Sequence, residues 1–527
     1  MLEATIAILN AHVATLNPKQ PKAEAVAIHG NKIVAVGSNE QIRKYSGKTT
    51  HIIDAKNNTV VPGLTDCHVH MISFGQFLQT LDLRDARSIA ELQTNLRKHA
   101  EKNPEKKWIL GGRWDQEKFA EKRYPTRHDL DAAVSDRPAF LIRVCGHIGV
   151  ANSKALQQVG ITGKTAIKGG KAHVDLNTGE PDGLLEENAL GQVWKAIPRP
   201  SPMELEQACT LACKKAVEAG LTCVHWITGS PKEIGIIRGL YSKKRIPLRV
   251  CLGIPVRSLD LPKGLGLQTG FKNDFVKISF VKILADGSLG ARTAALNAPY
   301  SDKPDTCGMM LYRERELDEL VLKSHKAGLQ LAIHAIGDHA VEIVLNAFEK
   351  ALKEYPMKNH RHRVEHASVL NPQLIRRMKR LGLIVSVQPH FVASDFWLVN
   401  RIGNTRARWA YPFKTLMDKG LNVISGSDCP VEPISPILGI WAAVARKNFV
   451  QEALTVEEAL KTYTSNASYA AFEEDRRGTI EPGKLADLTI LSGDLFSVSP
   501  DDIKLIKAEM TIVDGRIVYA RSRAAKV

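Results

Sequence analysis

Two histidines two residues apart, His68 and His70, follow an aspartate in LTDCHVHM, just after the apolar run NTVVPG. On a strand, residues i and i+2 share a face, so the two imidazoles can present nitrogens to one point. That arrangement suits a metal ion. A chain of 527 residues with 17 histidines can also place two close together by chance, so the pair needs company. It has it: His225, Lys282, His334, His366, His390 and Asp428 each stand at or near the end of a short β-branched run. One histidine at a strand end is ordinarily a satisfied core or loop residue, whereas a ligand-type residue at the end of strand after strand is a pattern.

Stepping outward, the runs that must carry these residues form a regular series. They are VVPGLTDCHVH, GLTCVHWI at 220–227, PLRVCLGI at 247–254, ISFVKILADG at 278–287, LQLAIHAIGD at 329–338, RHRVEHASV at 361–369, GLIVSVQPHF at 382–391 and GLNVISGSDCP at 420–430. Amphipathic helical segments such as ELDELVLKSHKAG and NPQLIRRMKRLG separate several of them, each ending in Gly before the next strand. Eight buried strands with intervening helices indicate an α/β chain built on a (β/α)₈, TIM-like barrel, whose catalytic residues lie at the C-terminal strand ends. More than 140 residues separate the first and second strands, far beyond a βα connection. The stretch at about 76–200, with KWILGGRW, AFLIRVCGH and ANSKALQQVG, is therefore expected to be an inserted α/β subdomain over the barrel mouth. The chain ends both alternate as strands, and residues 1–62 and 475–527 are expected to pair into a small β-sandwich beside a barrel spanning 63–474.

Composition sets outer limits. With 44% hydrophobic and 24% charged residues the chain is an ordinary globular one, and no apolar run reaches the length of a membrane span. The first residues, MLEATIAILNAHVATLN, lack the basic start and cleavage site of a signal peptide. Eight cysteines contain no C-x-x-C pair, and Cys67, Cys223, Cys251 and Cys429 read as small buried thiols, which fits a reducing cytoplasm. The formal charge of +16 comes from Lys and Arg scattered through helices, so a solvated basic surface is expected and not nucleic-acid binding. No G-x-S-x-G, Walker motif or Rossmann fingerprint is present.

Taken together, VPGLTDCHVH, GGRWDQ, CGHIGVANSKAL, GEPDGLLEENA, VKILADGSLGARTAAL, AIHAIGDHA, RVEHASV, VSVQPHF, GSDCPVEPISP and GTIEPGKLADLTIL make the sequence resemble the amidohydrolase superfamily. Within it, the likeness is to the YtcJ-like group, amidohydrolase family 3, which includes N-substituted formamide deformylase. The resemblance runs over nearly the whole chain and is specific for fold and family, far less so for substrate. It implies metal ligation by His68, His70, His334, His366 and Asp428. It also implies that Lys282 can carry a carbamate bridging two ions; a lysine paired with Asp286 is the other reading, and Glu187 is the alternative carboxylate ligand. One or two divalent ions are implied, with Zn²⁺ first and Mn²⁺, Fe²⁺ and Co²⁺ compatible with imidazole and carboxylate ligands.

The activity implied is metal-dependent hydrolysis of C–N bonds, N-acyl or N-formyl amides first, by a metal-activated hydroxide. Asp428 would shuttle the proton to the leaving nitrogen. His390 and Arg292 are candidates to steady the developing oxyanion. Trp114, His147 and Asp286 are candidate substrate-pocket residues, with Asn152 in the same segment as His147; His225 reads as structural or as support for the ligands. A superfamily deaminase with one metal is the alternative reaction, and a non-catalytic binding relative is disfavoured because all five ligands are present. The partner expected is a small-molecule amide, with no nucleic acid and no membrane; self-association into a homo-oligomer is left open.

Overall fold

The computed structural model describes residues 2–143, 148–167, 170–260 and 275–521. They form two compact units: residues 1–74 with 209–527, and the inserted residues 75–208.

In the first unit, eight parallel strands stand in chain order around a barrel: β1 (Leu64–Val69), β2 (Leu221–Ile227), β3 (Arg249–Pro255), β4 (Val276–Leu284), β5 (Gln330–Ala335), β6 (Arg363–His366), β7 (Ile384–Val387) and β8 (Asn422–Ser425). The eight strands read from the sequence are these eight. β1 and β2 are buried at every residue, as expected of strands covered on both faces. Closure is made by backbone bonds between β1 and the segment after β8: Asp428 N donates to His68 O at 2.7 Å, and His70 N to Cys429 O at 2.9 Å. The approach is close enough that a Cβ at Gly426 would lie 2.4 Å from His68 N, so only glycine fits there. The helices Glu314–Lys326 and Pro372–Arg380 end before Gly328 and Gly382, which take φ of +70° and +63°. These are left-handed positions where glycine avoids the Cβ penalty.

The chain ends meet in the same unit. A six-stranded sheet joins Thr59–Pro62 antiparallel to Leu488–Leu491, with Leu488 opposite Pro62 and Ile490 opposite Val60. A four-stranded sheet from residues 6–54 packs on it through Ile8, Val26, Ile28 and Ile53 against Val60, Leu488 and Ile512. Buried Arg249 of β3 ties these sheets to the barrel, with Nε 2.7 Å from Asp487 and Nη2 2.9 Å from Asp514.

The second unit has its own mixed six-stranded sheet, in which Ile109–Trp114 runs parallel to Ala139–Arg143 and the latter antiparallel to Ile148–Ala151. Its core holds Leu92, Leu96, Trp114, Phe119 and Leu141. Among the described residues no helix is long and apolar enough to cross a membrane.

Candidate metal centre

The residues expected to hold metal converge at the C-terminal strand ends of the barrel. Asp66 fixes the first of them: its Oδ1 accepts His68 N and Ser427 N, both at 3.0 Å, and its Oδ2 accepts the Ser427 hydroxyl. One buried carboxylate thus registers β1 against the turn that presents Asp428. Burial raises the Asp66 carboxyl to about 6, against the hydrogen bonds that lower it. His366 and Asp428 take φ of 71° and 57°, left-handed conformations that cost a non-glycine residue on the order of 1–3 kcal/mol and cluster where function demands them.

Asp428 Oδ1 lies 3.2 Å from His70 Nε2 and 3.5 Å from His68 Nε2, and the ligand atoms of the three lie within 4.8 Å of one another. Ring centroids of His68 and His366 are 4.8 Å apart, and those of His334 and His366 4.4 Å. Lys282 Nζ sits 3.3 Å from His68 Nε2.

Three of these imidazoles have one nitrogen committed elsewhere. His68 Nδ1–H donates to the buried Glu365 carboxylate. His366 Nδ1–H donates to Gln388 Oε1 at 2.6 Å. His334 Nε2–H donates to Gly287 O at 3.0 Å, with Asp286 Oδ1 3.3 Å away. The nitrogens left with a lone pair are Nε2 of His68, Nε2 of His366 and Nδ1 of His334. Such outer partners fix the tautomer and ring orientation of a metal-bound histidine.

Electrostatics agree with that reading. Burial lowers His68 to about 4, with the Lys282 charge adding and Glu365 opposing. His366 is held well below the usual histidine range by burial and by its neighbours His334, His68 and Lys282. Neutral imidazoles are the metal-binding form. Burial opposes the charge on Asp428, yet His68, His70 and Lys282 outweigh it and hold the carboxyl below its usual range. Burial lowers Lys282 to about 8 although Glu365 and Asp428 pull the other way, so a neutral amine, the form a carbamate requires, is within reach near neutral pH. Neutral nitrogens beside one ionised carboxylate suit a borderline divalent cation.

Several expected site residues do other work. Asp286 does not pair with Lys282 and does not open to a substrate: its side chain is fully buried. It accepts Ile336 N, Ala295 N and Gly337 N at 2.9–3.0 Å, and its fourth neighbour is His334. Arg292 is turned to Asp302, through Nε at 3.0 Å and Nη2 at 2.7 Å, which removes its fork from the oxyanion role. Trp114 is 0% exposed within the core of the second unit, its Nε1 donating to Leu141 O at 3.0 Å; a side chain so enclosed touches no substrate. Asn152 is likewise 0% exposed. It caps the helix Ser153–Val159 and holds Ala139 N, Val134 O and Arg137 O. His147 lies outside the described residues. Glu187 ends a strand of the second unit, exposed and with φ of 51°. His390 is gripped at Nδ1 by Glu432, which also takes the Ser394 hydroxyl, and its ring leans on Trp441. His225 is buried, its Nδ1 3.0 Å from Arg363 Nη1.

Glu365, Gln388 and Arg363 went unread in the sequence. The available signal was RVEH itself: an arginine and a glutamate in a strand buried at all four residues must be paired. They are, with Arg363 Nε 2.7 Å from Glu365 Oε1. Arg363, His68 and Lys282 overcome burial to hold Glu365 well below its usual range.

Known proteins resemble this chain along its length. The family model described as "Amidohydrolase family" matches residues 51–519. The Bacillus subtilis protein YtcJ, an amidohydrolase by name, is 36% identical over 97% of this chain and 98% of its own. N-substituted formamide deformylase of Arthrobacter pascens is 27% identical over 98% of each chain. A crystal structure of an uncharacterized metal-dependent hydrolase from Pyrococcus furiosus superposes with a TM-score of 0.79 at 32% identity, covering 94% of this chain and 99% of that one.

Proposed function

The chain belongs to the amidohydrolase family, and from that premise and the cluster at the barrel's C-terminal strand ends we propose a metal-dependent hydrolase of C–N bonds, acting on small N-acyl or N-formyl amides. The observation that carries the reading is the convergence of His68 Nε2, His70 Nε2 and Asp428 Oδ1 within 4.8 Å, beside His334 and His366 with their outer nitrogens already engaged.

His68, His70, His334, His366 and Asp428 would hold the ion, with Lys282 as a carbamate if a second ion binds. When bound, the metal supplies a Lewis acid for the amide carbonyl and lowers the pKa of water from 15.7 to about 7. The rest is the work of the chain's own groups. Asp428 is an ionised carboxylate at the end of the barrel, placed to take a proton from the attacking water. The acid so formed hands the proton to the departing nitrogen, which leaves poorly as an amide anion. His390, steadied by Glu432, is the remaining candidate donor to the developing oxyanion now that Arg292 is engaged by Asp302.

Metal analysis with a panel of N-formyl and N-acyl amides, run on the natural protein and on His68→Ala and His334→Ala, tests the reading. Each variant should fold, lose bound metal and lose hydrolysis, because the barrel core does not depend on its catalytic rim. Full activity and full metal content in either variant would remove the site. Ammonia release from ring amines, with no amide cleaved, would make the protein a deaminase.

A further inference from the structure

Which half of the amide carries the bulk of the substrate is a question on which the inner face of β4 bears. Phe280, Lys282 and Leu284 are two apart along that strand and share one face. The first two identify the face as the inward one. The Arg363 guanidinium lies 4.6 Å from the Phe280 ring centre inside the barrel, and Lys282 Nζ is 3.3 Å from His68 Nε2. Leu284 is therefore the next inward residue above Lys282. It is also the register partner of His334 on β5, so it stands beside one expected ligand and above another.

Phe280 and Lys282 are buried, whereas Leu284 is 49% exposed. A single leucine on an outer surface needs no account. Leu284 is not one: the outward-facing residues on either side of it, Ile283 and Ala285, are buried, and its own face is that of the metal ligands. Half of an apolar side chain is thus bare at the barrel mouth. We propose that Leu284 is a specificity-determining residue that takes an apolar chain on the acyl side of the substrate, so that N-alkanoyl amides are preferred to N-formyl ones. This rests on the amide hydrolysis proposed above and names the substrate within it.

The acyl side follows from topology. The strands stand in the order β8-β7-β6-β5-β4-β3-β2-β1 and the ring closes between β1 and the segment after β8, so β4 is four strands from β8 in either direction. Asp428, just after β8, hands its proton to the leaving nitrogen in the proposed reaction, which puts that nitrogen on the β8 side. Nitrogen and acyl chain leave the carbonyl carbon on diverging bonds. The chain therefore runs away from β8, toward β4 and Leu284. On the β8 side the bare apolar residue is Val431, 64% exposed, whose N–H donates to Asp428 O at 2.9 Å; it lies on the side of the amine half. A formyl group has no chain to cover Leu284.

Two chain-length series on the zinc-loaded protein test the assignment. Calorimetry follows the binding of formate, acetate, propanoate and butanoate, the acids that an acyl half leaves behind. Kinetics follow the acetyl, propanoyl and butanoyl amides of one amine. At about fourfold per buried CH₂, butanoate should bind about sixtyfold tighter than formate, and kcat/KM should rise about sixteenfold from acetyl to butanoyl. Leu284→Asn, polar and close in size, should keep its metal but compress both spans to about fourfold or less. Leu284→Met restores apolar surface and should keep the spans, and Val431→Asn should leave them as in the natural protein. Flat series in the natural protein, spans unmoved by Leu284→Asn, or spans compressed by Val431→Asn would each overturn the assignment. Should Leu284→Asn fail to fold or to load metal, the natural series and Leu284→Trp decide, since the larger ring fills the space and should make butanoate the weakest binder. A gradient among the acids with no amide cleaved would remove the C–N hydrolysis while leaving the contact of Leu284 with a carbon chain.

Discussion

Glu365→Gln is the sharpest perturbation available, because it removes a charge and almost no volume from a side chain that is 0% exposed. Glu365 serves two partners at once: the Arg363 guanidinium, whose Nε lies 2.7 Å from Oε1 as an ion pair, and His68 Nδ1–H, which donates to Oε2. A glutamine has one acceptor and one donor end, so it can satisfy only one of them. With its oxygen toward His68, its NH₂ faces the Arg363 side chain, which is 0% exposed. Leaving one partner of a buried ion pair uncompensated costs about 3–5 kcal/mol. With its oxygen toward Arg363, its NH₂ faces His68 Nδ1 and moves the ring proton to Nε2, the nitrogen needed for metal. Loss of such an outer partner typically lowers metal affinity or activity about 10–100-fold. Either orientation is measurable, the first by urea unfolding of the metal-free protein and the second by zinc competition against a chelator. The paired variant Glu365→Gln/Arg363→Met removes the stranded charge, so the amide oxygen can return to His68 and metal affinity should recover relative to the single variant. A Glu365→Gln protein with unchanged stability and unchanged zinc affinity would refute the role given to this carboxylate.

Three further outcomes follow from the same geometry. Asp428→Asn should keep its shape and much of its metal but lose at least about a hundredfold in kcat on any amide cleaved, the scale of an acid–base group; a rate near the natural one would move proton transfer to His390. Lys282→Ala should lower metal content toward one ion and cut the rate, with formate or acetate restoring part of it if a carbamate bridge is what was lost; unchanged metal content and no rescue would rule the carbamate out. His362 is lowered to about 2 by burial and by the charges of His360 and His325, while in the unfolded chain it titrates near 6.5. The unfolded state therefore binds the extra proton, and stability falls by about 1.4 kcal/mol per pH unit below about 6.5, or about 2 kcal/mol by pH 5. His362→Gln should make the slope in urea unfolding shallower by about that amount, leaving the share of His68 and His366, and an unchanged slope would refute the share given to His362.

What the sequence displayed and what it concealed divide along one physical line. That His68, His70, Lys282, His334, His366 and Asp428 stand at or near the ends of barrel strands was legible because a buried parallel strand is a short apolar run, and a polar residue at its end interrupts the run visibly. The sheet paired from both chain ends was legible by the same alternation. Trp114 was misread because a tryptophan two residues after a Gly–Gly pair looks the same whether it fills the insertion's own core or faces a ligand; only the packing of Phe119 and Leu141 around it decides. Asn152 was misread because a helix N-cap and a pocket amide use the same side chain. The deeper loss concerns protonation. Which nitrogen each imidazole offers a metal is decided by the partner of its other nitrogen, and these partners lie 297, 22 and 47 residues away, at Glu365, Gln388 and Gly287. Strand periodicity tells which face a side chain takes but not what meets it across a barrel. Asp286 illustrates the consequence: the sequence offers it Lys282, four residues before it, as a partner, yet its carboxylate is filled by three backbone amides and the edge of His334. Candidate ligands are thus inventoried along the chain, but their proton states are written only when the barrel closes and Glu365 reaches His68.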